Sequence, residues 1–428
     1  MLIGFTFENY LSFFEKTSFS MIANSSDKQY KEINSFSTAQ GDLIKSAFIF
    51  GANGSGKSNF ISAIGAMRNI VLAPIDIQSQ MIGSPNYFIF NEVGKQKPVF
   101  FEATFLVNDI MFEYGFEILN GKVNKEYLYK KAKRRTIVFT RDNQSFESIE
   151  LISEMDNVKH LKQNCRTDTL FLYWANFGNN ETAMKIYEWF KNIQIFDADN
   201  ASQLLNQTVS YIENSGTAKA KILDLLKTAD TNILDFEIEK NDDTDKDGLI
   251  NDALKKSFVQ KFKQVSKFKS IDLSTKHNVY SIDWKKSGIA TTSIEFESAG
   301  TKKLFEIAGP IINALENGNV VFIDEIDARL HPSLVRYIVM LFNSISQNPN
   351  NAQLVCNTHD VLLLEEEIRR DQIYFTNRNE YGSTSLYSLS DFKGVRKDSK
   401  ILKQYLLGAF GATPNLKDFL TFKKKAQV

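Results

Sequence analysis

Only two cysteines, seven prolines and four histidines occur in 428 residues, and 51 acidic side chains balance 51 basic ones. Each scarcity excludes something. Cys165 and Cys356 cannot build a disulfide framework, and neither has a partner at zinc-ligand spacing. No run of about 18 apolar residues is present, which excludes a membrane-spanning helix on the bilayer-thickness argument. The opening stretch, MLIGFTFENY, lacks the basic start and long apolar run of a secretory leader, so a cytoplasmic location is expected. Zero net charge argues against coating nucleic acid by bulk electrostatics and leaves only local basic patches for that purpose. What the chain has in plenty is aromatic: 35 Phe and 15 Tyr against 21 Gly, the mark of many strands and few sharp turns. The length fits two or three domains.

Alternation over Leu2 to Phe7 and again over Phe14 to Met21 predicts a hairpin turning near Asn9 to Ser12. The apolar run Ala47-Phe48-Ile49-Phe50 ends in glycine, and apolar residues at helical spacing follow from Asn59 to Val71. Val99 to Phe139 returns to strands, broken by the turn pairs Asn108-Asp109 and Asn120-Gly121. Between Ser145 and Asp230 the periodicity is mainly helical, and an acidic segment, Glu239 to Asp247, precedes a basic helix over Asp252 to Lys269. Further strands are expected at Val279 to Trp284 and Ile289 to Glu297, then a helix over Lys302 to Leu315, an apolar strand Val320 to Ile323, a helix Pro332 to Ser346 and a strand Gln353 to Cys356. Helices alternating with wholly apolar strands imply a parallel sheet buried on both faces. Three regions result: an N-terminal lobe over 1–145, a mainly helical insertion over 146–275 and a C-terminal lobe over 276–428.

The strongest chemical signal is Gly51-Ala52-Asn53-Gly54-Ser55-Gly56-Lys57-Ser58, which fits G-x-x-x-x-G-K-[ST] between a strand and a helix. Glycines let backbone N–H groups turn inward on phosphates at a helix N-terminus. Gly51, Asn53, Gly54, Ser55, Gly56, Lys57, Ser58 and Asn59 are thus candidate ATP-binding residues, with Lys57 on the β- and γ-phosphates and the Ser58 hydroxyl on Mg²⁺. The second signal is Val320-Val321-Phe322-Ile323-Asp324-Glu325, a buried strand ending in two carboxylates where open α/β sheets bind ligands. Asp324 would hold Mg²⁺ and Glu325 would polarise the attacking water. Taken alone, such a pair is equally a helix cap.

Lys57 and Asp324 lie far apart in the sequence, and that spacing resembles the ABC-type ATPases, above all the SMC, RecF and OLD-like branch. The resemblance implies an α/β head with a mixed or parallel core sheet, an antiparallel β subdomain and a mainly helical insertion. It makes Asp327, in IDARLHP, a D-loop residue and His359, in CNTHD, a switch histidine acting beside Glu325. Ser298-Ala299-Gly300 is similar to the signature motif that meets the γ-phosphate of a partner protomer, although Ser298 and Gly300 also suit an ordinary helix start. With the signature, ATP would join two protomers head to tail, and higher assemblies could build on that homodimer. The opening ENYLSF, the run EIDARLHPSL and the tail from Arg396 to Pro414 resemble bacterial ATPases of phage-defence operons, among them those of AbiL-type abortive-infection systems, akin to toxin–antitoxin pairs, and of PARIS. That likeness implies a sensor or scaffold ATPase controlling a separately encoded nuclease of the RloB or Toprim type, since too little chain follows His359 for an ordinary Toprim domain. The alternative is a RecF- or SMC-like DNA-repair clamp, against which stands the lack of long heptad-patterned arms. A self-contained nuclease lacks a visible metal constellation.

The remaining features have plainer readings. His331-Pro332 begins a helix. Asp197 and Asp199 are a metal pair or, preferably, a helix-start cap before Ala201. Gln163 and Gln194 both suit the metal-touching glutamine of ABC ATPases, and neither is chosen. Lys130 to Arg135 with Arg141, and the lysines from Lys255 to Lys269, are basic patches that suit solvation better than nucleic acid, which with a phage protein stays a candidate partner. The segment from Asp243 imitates half a calcium loop but has Leu254 where a glutamate is needed. Trp174 and Trp189 are expected in the core.

Overall fold

In the computed structural model, which describes residues 1–142, 149–197, 200–229, 232–241, 270–395 and 400–413, the opening hairpin is present as β1 (Leu2–Glu8) and β2 (Thr17–Ser20), paired antiparallel. A short helix α1 (Lys31–Asn34) leads to the ribbon β3 (Ser35–Thr38) and β4 (Gly41–Ile44). Next comes β5 (Ser46–Gly51), buried at every residue, then the glycine loop and α2 (Lys57–Leu72) and α3 (Ile75–Gly83). The aromatic region folds as β6 (Val99–Val107), β7 (Ile110–Leu119), β8 (Lys122–Lys131) and β9 (Arg135–Asp142), with β10 (Glu150–Leu151) at the edge. Asn108 and Asp109, at φ 49° and 62°, and Asn120 and Gly121, at φ 52° and 72°, supply the left-handed turns that two-residue hairpins need. One seven-stranded antiparallel sheet results, in the order β10-β9-β8-β7-β6-β1-β2.

Helices α4 (Phe171–Phe177) and α5 (Glu181–Asn192) follow, then β11 (Gln194–Asp197). Residues 201–312 form a second compact unit. That unit contains α6 (Ala201–Asn214), α7 (Ala218–Thr228) and an antiparallel sheet of β12 (Asp235–Asn241), β13 (Ser270–Tyr280) and β14 (Lys286–Ser293), and in it begins α8 (Ala299–Asn317). The strand expected to reach Trp284 stops at Tyr280: Ser281 accepts the N–H of Trp284, and Trp284 sits at φ 57°, which ends a strand in a turn. The strand expected to reach Glu297 gives way after Ser293 to a single tight helical turn, Ile294–Phe296. The basic helix over Asp252 to Lys269 and the calcium-like segment Asp243 to Leu254 lie outside the described residues.

The first unit is completed by β15 (Val320–Asp324), α9 (Pro332–Asn343), β16 (Gln353–Asn357), β17 (Ile373–Arg378), β18 (Thr384–Ser388) and α10 (Ile401–Leu406). Its second sheet runs β11-β15-β16-β5-β17-β18, parallel except for β18. Continuous burial of β5, β15 and β16 is what a parallel strand covered on both faces requires. Phe60 of α2 packs against Phe5, Phe7 and Phe19 of the antiparallel sheet, and the same core cluster takes in Val320, Phe322 and Val355 of the parallel one. Buried Gln353 ties the sheets together, accepting the Leu2 N–H at 2.6 Å and donating to the Leu2 carbonyl at 3.0 Å. The architecture is the mixed α/β one expected, with an antiparallel β layer and an inserted unit.

Candidate active site

Five parallel strands end on one edge of the second sheet, and each delivers a polar group there. The glycine loop follows β5, Asp324 ends β15, His359 comes two residues after β16, Arg378 ends β17 and Asp197 ends β11. A cavity of about 570 Å³ there is lined by Asn53, Gly54, Lys57 and Ser58 together with Glu325, His359 and Arg378.

Gly54 and Gly56 take φ 72° and 106°, conformations that glycine reaches without a side-chain penalty. A Cβ on Gly56 would also lie 2.5 Å from the Thr384 hydroxyl oxygen. The loop is braced from three sides: the Ser55 hydroxyl meets that of Thr376 at 2.6 Å, the Thr384 hydroxyl lies 2.9 Å from the Ser55 carbonyl, and Asn59 donates to the Ser12 hydroxyl at 2.8 Å. The side chains of Ser55 and Asn59 are thus turned to the brace, and the Ser55 N–H donates to the Ala52 carbonyl at 3.1 Å. Lys57 donates to the carbonyls of Gly51 and Ala52 at 2.9 and 3.2 Å. Burial holds its ammonium below the usual lysine range, opposed by the carboxylates of Glu325, Asp324 and Asp327.

Burial pushes the Asp324 carboxyl up; hydrogen bonds from Asn357 and Ser58 pull it down, the Asp197 carboxylate raises it and Lys57 lowers it. Those partners place Ser58, Lys57 and Asp197 around one carboxylate. Asn357, fully buried, donates its amide to Asp324 and accepts the Glu325 N–H at 2.5 Å. Glu325 itself sits at φ 55°, a left-handed conformation that costs on the order of 1 kcal/mol or more outside glycine. Asp327 accepts the Thr358 hydroxyl at 2.7 Å and the His359 N–H at 3.1 Å, fastening the turn that carries the histidine. Ser58, Asp324 and Asp197 supply hard oxygen donors that fit Mg²⁺. Among the described residues no cluster of three or more His, Cys, Asp or Glu side chains could hold a metal.

A family model described as "AAA domain, putative AbiEii toxin, Type IV TA system" matches residues 46–156 and 187–365, more than half of the sequence. The chain belongs to that family. Membership in this AAA family bears out the recognition of an ATPase-type nucleotide-binding domain. No curated protein matches in sequence. Among solved structures, the "Crystal structure of the SmcHead bound to the C-winged helix domain of ScpA" is similar at 13% identity and a TM-score of 0.41, over 90% of this chain and 97% of that one. The family match takes in the glycine loop, Asp197, Asp324, Glu325, Asp327 and His359, and stops short of Arg378.

Most of the other sequence candidates fall elsewhere in the chain. Asp197 is the last residue of β11, in register with Asp324: strand pairing, which sequence periodicity does not reveal, sets it beside that carboxylate. Asp199 is outside the described residues. Gln194 starts β11 at the far end from the site, and Gln163 lies in the tight helical run Ser153–Asn164. Ser298, in the second unit, accepts the Thr301 N–H at 3.1 Å as a helix cap does, and Gly300 follows within α8. His331 caps α9 through Nδ1 at 3.2 Å from the Ser333 N–H, with Pro332 in the first turn. Part of the first basic patch is engaged in contacts, while Lys133 and Arg134 stay exposed. Arg141 is buried and donates to the carbonyls of Thr169 and Arg166, Lys130 pairs with Glu154, and Arg135 pairs with Glu113 and stacks on Tyr129. The second patch, from Lys255 on, lies outside the described residues. Trp189 is in the core and Trp174 packs against it. Sequence reasoning missed Asn357 and Arg378; each stands at the end of an apolar strand, which is the signal that finds them.

Proposed function

We propose that the chain is an ATP-hydrolysing switch that dimerises on ATP and controls a separately encoded effector in defence against phage. What carries the reading is the convergence of Lys57, Ser58, Glu325 and His359 around a single cavity, with Asp324 beside Ser58 and Lys57. Backbone N–H groups of the loop and Lys57 bind the phosphates, while Ser58 and Asp324, with Asp197 beside them, would hold Mg²⁺. The ion would neutralise charge building on the β- and γ-phosphates. Glu325, held by Asn357, takes the proton of the attacking water, and His359, held by Asp327, contacts the γ-phosphate. Ser298 and Gly300 serve the nucleotide of a partner protomer, so ATP joins two copies and hydrolysis parts them. The family description, which names a toxin of a toxin–antitoxin system, supports a role in limiting infected cells, with a nuclease of RloB or Toprim type as the effector.

The test is light scattering after size exclusion. Glu325→Gln should give a dimer with ATP and Mg²⁺ that is absent with ADP, and Lys57→Ala should bind neither nucleotide. A monomer under every condition would sink the dimer switch; nucleotide binding by Lys57→Ala would sink the loop assignment.

A further inference from the structure

We infer that Arg378 is a further nucleotide ligand of this site, binding the terminal phosphate of ATP held by the same protomer. It ends β17, the strand beside β5, and lines the cavity shared by Lys57, Ser58, Glu325 and His359. Alternate residues of a strand share a face. Two positions earlier Thr376 places its hydroxyl 2.6 Å from that of Ser55, in the glycine loop. Directly across the hairpin Arg378 is in register with Thr384, whose hydroxyl lies 2.9 Å from the Ser55 carbonyl. Both neighbours on that face touch the loop, and Arg378 leaves the strand on the same side.

Two contacts set its aim. Nε donates to the Gly382 carbonyl at 3.0 Å, and the guanidinium carbon lies 5.3 Å from the centroid of the Phe90 ring. Gly382, at φ 80°, makes room for this stack, since a Cβ there would come within 3.2 Å of Nη2 and 3.1 Å of Phe90. The contacts occupy Nε and one face, and the terminal N–H groups remain to donate as a fork. No ion pair to Arg378 is present among the described residues. A guanidinium that is always charged, pre-aimed and next to a phosphate loop is matched to oxyanions. It shares the cavity with Glu325 and His359, the groups placed at the bond being broken, so the phosphate it meets is the one ADP lacks.

This inference rests on the proposed nucleotide site, and the experiment separates the two. Binding of ATP and of ADP, each with Mg²⁺, is measured by calorimetry in the Glu325→Gln background, with and without Arg378→Ala or Arg378→Lys. Arg378→Ala should weaken ATP by about ten- to a hundredfold, the loss of a charge-assisted hydrogen bond, and leave ADP nearly unchanged, which also shows that the site is folded. Arg378→Lys should fall between, keeping charge without the fork. Equal losses for ATP and ADP, or no loss for either, would overturn the assignment of Arg378. Failure of the parent protein to bind either nucleotide would instead overturn the site itself.

Discussion

Asn357 is the residue on which the acidic pair depends. One amide serves both carboxylate positions, donating to Asp324 and accepting the Glu325 N–H at 2.5 Å, and it holds Glu325 in a left-handed conformation that would otherwise relax. Removing a partner behind metal-type ligands typically costs about ten- to a hundredfold in activity. Asn357→Ala should therefore lower kcat for phosphate release by about that factor with KM changed far less, because the glycine loop is untouched; an unchanged kcat would show that Asn357 is structural only. The phosphate loop and the acidic pair were legible in the sequence because each is a contiguous run whose chemistry and flanking strand agree. Asn357 was not, and Asp197 was legible only as one of two readings, since what each stands beside depends on which strands lie side by side.

Among the elements, the hairpin of β17 and β18 does for the glycine loop what Asn357 does for the acids. Thr384 is buried, with its hydroxyl 2.8 Å from that of Ser12 and 2.9 Å from the Ser55 carbonyl. Thr384→Val keeps the shape and removes the donor to the buried Ser55 carbonyl, while Ser12 keeps Asn59. It should destabilise the fold by about 1–3 kcal/mol, read as a lower denaturant midpoint at unchanged slope, and an unchanged midpoint would refute the brace. This hairpin escaped the sequence reading: β17 has a short apolar core between the charged stretches around Arg370 and Arg378, and β18 is half polar. β11 escaped for a similar reason, being four residues long between two helices. The strands that were legible, β5, β15 and β16, are buried on both faces and so read as unbroken apolar runs. Three-stranded β12-β13-β14 was partly hidden because β14 is exposed along nearly its whole length and carries little apolar pattern.

For the whole molecule the decisive question is whether a site is finished by the same chain or by a second copy. In the proposed dimer, one protomer supplies Lys57 and its partner supplies the Ser298 hydroxyl, so every active site mixes the two. Lys57→Ala leaves a sound Ser298 on a protomer with a dead loop, and Ser298→Arg leaves a sound loop on a protomer with a blocked signature. Each variant alone should release almost no phosphate from ATP. Mixed in equal amounts they form some heterodimers, in which one of the two sites receives an intact loop from the Ser298→Arg chain and an intact signature from the Lys57→Ala chain. Phosphate release should then rise well above that of either variant by itself and fall again on dilution, as a second-order association demands. If Ser298 served only as the cap it makes to Thr301, or acted on the nucleotide of its own chain, no pairing of defective protomers could assemble a working site, and the mixture would stay as inactive as its parts.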